Sequence, residues 1–276
     1  MSDSKRSGDA ALPSATNARA AFANRATTTG SRISALVADA GLSCRFQSIL
    51  TTSGEPFAEI ALLFASDGER SHGEKSILRV ATAGELARGA ASFRRRATAE
   101  FAQAELARGG ASSPVRLYLP YYCSMPEVEA IGPPLVDVLE QERMPPARVI
   151  VEMLVPPDAA QADSAASRAA WLRAVGVQIA VRAEGCDDRA LAALEALRPD
   201  LLHLPKPPRS FEEVEIFRSF LRSAKRGVAP RPGGTASSSL GVIVGGLESP
   251  DDSLAVESLG VSLVYGLAIA APRFLC

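Results

Sequence analysis

Residues 176–204 read GVQIAVRAEGCDDRALAALEALRPDLLHL, and this stretch decides the fold. Val177–Val181 is a short apolar run of the kind that forms a buried strand. Asp187–Leu197 has helix-like composition and opens on acidic residues, where the helix dipole favours them. Leu201–Leu204 is apolar again. A strand, a helix and a strand in so few residues predict a parallel pair joined by a helical crossover. The same rhythm extends in both directions. Upstream lie a strand over Val149–Leu154 and a helix over Ala159–Ala174, ended by Gly176. Before them come a strand over Val115–Leu119 and a helix over Pro126–Glu142, with Pro at its start. Downstream, helices over Phe211–Ser223 and Asp251–Ser258 alternate with strands over Val242–Val244 and Ser262–Tyr265.

The N-terminal part departs from this alternation. Cys44–Leu50 and Phe57–Phe64 read as strands, and Thr51–Pro56 between them carries turn chemistry in Ser53, Gly54 and Pro56. So short a link predicts an antiparallel pair. A long helix follows over Ala83–Arg108, closed by Gly109 and Gly110. Its run Arg94-Arg95-Arg96 is expected to be a solvated face. The sum is eight strands, mostly alternating with helices. That is an α/β chain expected to close into a barrel, whose reactive groups would stand at the C-terminal ends of its strands.

Composition narrows the class. With 276 residues and 47% hydrophobic content the chain can bury one large core. A net charge of −1 gives no electrostatic case for nucleic acid or an anionic membrane. Cys44, Cys123, Cys186 and Cys276 are far apart, without metal-ligand spacing. They are expected to be reduced thiols in a cytoplasmic protein. No apolar run reaches the roughly 18 residues of a membrane span. Residues 1–40 are expected to be a disordered or helical extension, and 41–276 a single domain. Within it, the Pro/Gly/Ser-rich stretch 226–240 is expected to be a flexible insert. No Gly-x-Ser-x-Gly elbow, His-Glu-x-x-His or phosphate-cradling loop is present.

Ordered fragments carry a family resemblance. Phe46-Gln47-Ser48-Ile49 is similar to the opening Phe-Gln-Pro-Ile strand of the bacterial EAL domain, the cyclic di-GMP phosphodiesterase module. Ile60-Ala61-Leu62-Leu63-Phe64 resembles its Glu-Ala-Leu-Leu-Arg signature. Val149-Ile150-Val151-Glu152 and Gly176-Val177-Gln178-Ile179-Ala180 resemble later strands. So do Pro199-Asp200-Leu201, Val244-Gly245-Gly246-Leu247-Glu248 and Leu259-Gly260-Val261 with Tyr265-Gly266. The resemblance implies a TIM-like (β/α)8 barrel of EAL type with an antiparallel first strand. It also implies hydrolysis of a phosphodiester clamped by two divalent cations on oxygen ligands.

Carried over residue by residue, the resemblance finds most of those ligands replaced. The signature Glu falls on Ile60, the Asn on Tyr118, the Asp pair on Arg182 and Ala183, and the assisting Lys on His203. The Glu of the seventh strand becomes Gly245, and the late Gln becomes Tyr265. Only Glu152 keeps a ligand group. Glu59 is one residue from Ile60 and should face the other side of its strand. Arg182 would repel a dication by on the order of 8 kcal/mol at about 4 Å and an effective dielectric of about 20. These positions are therefore read as vestigial, with no catalytic residue, metal or cofactor. The expected function is a catalytically inactive regulatory module that contacts an unidentified protein in bacterial signalling, with a homodimer open. The alternative is a metal-independent sensor of cyclic di-GMP or another anionic nucleotide, using Gln47, Arg182, His203 and Lys206. Against it, Arg182 is expected to pair with Glu152 or Glu184, and His203 to be a hydrogen-bonded core residue. An active phosphodiesterase is the remaining reading.

Overall fold

The computed structural model describes residues 42–66, 71–109, 114–227 and 240–275. The extension over residues 1–40 and residues 228–239 of the expected insert lie outside them. β1 (Leu42–Thr51) and β2 (Pro56–Ser66) form the expected antiparallel pair, with Gln47 opposite Ile60. Their turn is fixed locally. Thr51 Oγ1 accepts from the Glu55 amide at 2.9 Å, and Gly54 adopts φ +88°, a conformation that favours glycine.

β4 (Arg116–Leu119), β5 (Val149–Leu154), β6 (Gln178–Arg182), β7 (Leu201–Leu204), β8 (Gly241–Val244) and β9 (Leu263–Val264) follow in parallel order from β2. β9 returns to β1 in antiparallel register through Leu50 and Thr51, which closes an eight-stranded mixed barrel. The ninth strand, β3 (Ser71–Gly73), hangs on the mouth end of β2.

The described helices are α1 (Glu74–Val80), α2 (Ala83–Ala107), α3 (Pro126–Ile131), α4 (Leu135–Gln141), α5 (Ala159–Ala174), α6 (Asp188–Leu197), α7 (Phe211–Gly227) and α8 (Pro250–Glu257). α2 begins at a capping box in which Thr82 and Glu85 satisfy each other's backbone donors. α8 has the equivalent box from Ser249 and Asp252, with Pro250 in its first turn.

Four expectations need correction. The single helix over 126–142 is two helices, because Gly132, Pro133 and Pro134 interrupt it. β3 and α1 were not expected, and His72 stands in β3 opposite Ala65. α7 extends to Gly227, so residues 226 and 227 are helical rather than part of an insert. Arg94 is fully buried, not solvated. Its guanidinium donates to the Cys123 carbonyl at 3.2 Å, to Glu129 Oε1 at 2.5 Å and to the Pro133 carbonyl. It ties α2 to the interrupted segment.

The strands have two apolar faces. Ala61, Leu63, Val149, Val151, Ile179, Val181 and Leu202 pack outward against the helices. Ile49, Ile60, Tyr118, Ile150, Ala180, Leu201, Ile243 and Leu263 fill the barrel interior. This period-two partition decides which strand-end side chains reach the mouth.

Candidate functional site at the barrel mouth

Glu152 stands two residues beyond Ile150 on β5 and therefore shares its inward face. Its side chain is buried and fully engaged. Tyr118 on β4 donates its hydroxyl to Glu152 Oε2 at 2.6 Å, and the Tyr121 amide donates to Oε1 at 3.4 Å. His203 Nδ1 on β7 is in hydrogen-bond contact with Oε2, and Arg182 Nη1 on β6 lies 3.9 Å from Oε1. His203 Nε2 meets the Tyr265 hydroxyl at 2.9 Å just past β9. Nδ1 thus faces the carboxylate and Nε2 the Tyr265 hydroxyl, so the imidazole bridges the two side chains. A continuous chain, Tyr118–Glu152–His203–Tyr265, spans the mouth from β4 to β9.

Electrostatics agree with that chain. Burial, then the neighbouring Glu152, pushes the Tyr118 phenol well above its ordinary range, so it remains a donor. Burial alone would raise Glu152. The His203 and Arg182 charges and the His203 and Tyr118 hydrogen bonds together hold its carboxyl below the usual value. Burial opposes the charge on Arg182, but Glu152 and Glu184 outweigh it and raise its pKa. Arg182 Nε donates to Glu184 Oε1 at 2.7 Å.

Gly245 is explained by the same packing. A Cβ built there would lie 2.3 Å from Cζ of Tyr265, so the tyrosine ring occupies the space a side chain would need. Gly246 follows with φ +69° and close approach to the Pro205 carbonyl.

The sequence-assigned positions thus fall into two groups. Ile60, Tyr118, Glu152, Arg182, His203, Gly245 and Tyr265 meet at the mouth or in the layer beneath it. Ala183 does not, because it is buried in the outward cluster. Gln47 faces the interior, but its Nε2 donates to the Ala270 carbonyl at 2.7 Å. Lys206 is exposed on the loop after β7. Glu59 lies on the outward face and binds Ser48 and Arg273, so it is not positioned to replace Ile60. Tyr122 is buried against Phe93 and Tyr121.

One mouth residue had no sequence signal. Arg45 on β1 lies opposite Leu62, on the same face as Gln47. Its guanidinium carbon sits 4.6 Å from the centroid of Phe64 and 5.1 Å from that of Phe274. A lone arginine in a strand carries no motif, and its aromatic partners are distant in sequence.

A dinuclear magnesium or manganese centre needs several oxygen donors. Here the inward positions offer an alkyl group, a phenol, an imidazole and a guanidinium beside one fully engaged carboxylate. Those residues do not fit such a centre. Among the described residues no group of three or more His, Cys, Asp or Glu side chains is placed to hold a metal ion.

No family model and no curated protein matches the chain. Solved structures do. The fold is similar to the PaMucR phosphodiesterase in complex with c-di-GMP, with TM-score 0.70 and 14% identity over 86% of this chain and 94% of that one. It is also similar to a standalone EAL protein from Vibrio cholerae O395 in its c-di-GMP-bound form, with TM-score 0.64 and 15% identity over 84% and 92% of the two chains. The Xanthomonas citri FimX EAL domain in complex with c-diGMP matches with TM-score 0.66 and 13% identity over 91% and 96%. The chain has the fold of the EAL-domain barrels. At these identities the likeness concerns the fold alone.

Proposed function

We propose that this chain is an EAL-type barrel that no longer hydrolyses phosphodiesters and acts as a regulatory module through protein contacts. The observation that carries the reading is the engagement of Glu152. Among the described residues, the carboxylate on the inner face of the mouth is already bonded by Tyr118, His203 and the Tyr121 amide. Residues 41–276 form the module in this reading, and the segments 1–40 and 228–239 are accessory to it. Exposed apolar side chains support a contact function: Phe211 is 83% exposed on the helix after β7, and Leu267 68% exposed on the loop after β9. Both follow strand ends and so lie toward the mouth, in a cytoplasmic signalling context.

Manganese titration followed by electron paramagnetic resonance tests the loss of the metal site. All added Mn²⁺ should remain free at micromolar protein. Two tightly held ions per chain would contradict the proposal.

The second reading is a metal-independent sensor of an anionic nucleotide. It is favoured by Arg45, a mouth-facing guanidinium with no ion pair among the described residues. Arg182, His203 and Gln47 support it less, since each already has a protein partner.

A further inference from the structure

Most mouth cations are compensated. Arg182 donates to Glu184 and Arg209 to Glu248. Arg45 differs from them in two respects. It is held between two phenyl rings, at 4.6 Å from Phe64 and 5.1 Å from Phe274. It makes no side-chain hydrogen bond or ion pair among the described residues, and its Nε is buried without a partner. It stands on the inner face of β1, mouthward of Gln47.

Stacking fixes the plane of a guanidinium, so less freedom is lost when it forks onto an oxyanion. An unsatisfied donor in a half-buried site gains most from such a ligand. Phe274, stacked on Arg45, is 55% exposed and has open surface for a flat ring. A phosphate and a flat ring within one ligand describe a nucleotide.

We infer that Arg45, clamped by Phe64 and Phe274, is the anion-recognising residue of the mouth, and that its ligand is a nucleotide phosphate whose base packs on Phe274. The inference rests on the sensor reading and replaces the residues first assigned to it. Lysine at position 45 would keep the charge and lose the planar fork.

The test is calorimetric titration of the full chain with cyclic di-GMP, 5′-GMP and inorganic phosphate in excess EDTA. At least one nucleotide should bind more tightly than phosphate. Arg45→Ala and Arg45→Lys should each weaken it by about tenfold or more. Phe274→Ala should weaken it about fivefold or more, as loss of base stacking does. Arg182→Ala should change affinity by less than about threefold. If Arg45→Ala fails to fold by circular dichroism, Arg45→Lys and Phe274→Ala decide. Nucleotide binding that survives Arg45→Lys and Phe274→Ala but is lost in Arg182→Ala would overturn the assignment and leave the sensor reading standing. Equal affinity for phosphate and nucleotide would overturn the base contact. Absence of binding by all three probes would overturn both the assignment and the sensor reading.

Discussion

Glu152 stands at a strand end and holds neighbouring strands together. Its carboxylate links β4, β6 and β7 through Tyr118, Arg182 and His203. Removing one partner of a buried, charged, hydrogen-bonded set is strongly destabilising, because the remaining groups stay buried and unpaired. Glu152→Ala should therefore cost about 3–5 kcal/mol in urea unfolding at pH 7. Its pH dependence has a defined sign. The folded carboxyl lies below its ordinary value. Its contribution is thus complete above the unfolded glutamate pKa of about 4.3 and lost as pH falls through the folded pKa. Thermal melts below about pH 4.3 should show wild type losing stability faster than Glu152→Gln. Parallel acid profiles would remove Glu152 from this role. At Gly245, alanine would collide with the Tyr265 ring. Gly245→Ala should displace the ring from His203 and destabilise by about 1–3 kcal/mol, read by urea unfolding and by tyrosine near-ultraviolet dichroism.

At the scale of elements, α2 shows where sequence periodicity misleads. An arginine run within a helix usually marks a solvated face, yet Arg94 is enclosed by the break between α3 and α4. The break supplies the reason: Gly132 and the following prolines expose carbonyls that a helix would otherwise use, and Arg94 satisfies that of Pro133. Arg94→Ala should cost about 3 kcal/mol through acceptors left without a donor. Arg94→Lys should recover only part, since an ammonium cannot reach several acceptors in one plane. No periodicity in residues 126–142 could announce this contact, because it joins positions 35 and 39 residues apart. The parallel strands were legible because each is a short, largely apolar run between helical segments. β3 is short and polar, Ser71-His72-Gly73, and is defined only by pairing with β2.

For the whole molecule, barrel closure and the inner and outer faces could be anticipated from strand order and period. The antiparallel β1–β2 turn and the inward placement of Ile60, Tyr118, Glu152, Arg182 and His203 follow from that period. The contents of the mouth could not be anticipated as fully. Tyr118, His203 and Tyr265 appear along the chain as separate substitutions, and only the closed barrel makes them one hydrogen-bonded chain with Glu152. Ala183 looked like a site position but falls on the outward face. On the proposed reading, with non-ligand side chains at so many strand ends, no single added carboxylate should create a dinuclear site. Ile60→Glu alone should bind no metal pair, because Tyr118, Arg182 and Gly245 remain. The most direct measurement is hydrolysis of cyclic di-GMP by the full purified chain and its Ile60→Glu variant, each with saturating Mg²⁺ or Mn²⁺ and with products resolved chromatographically. No turnover above the metal-free control is predicted for either. Metal-dependent linearisation of the substrate by the wild-type chain, persisting through repeated purification, would contradict the account.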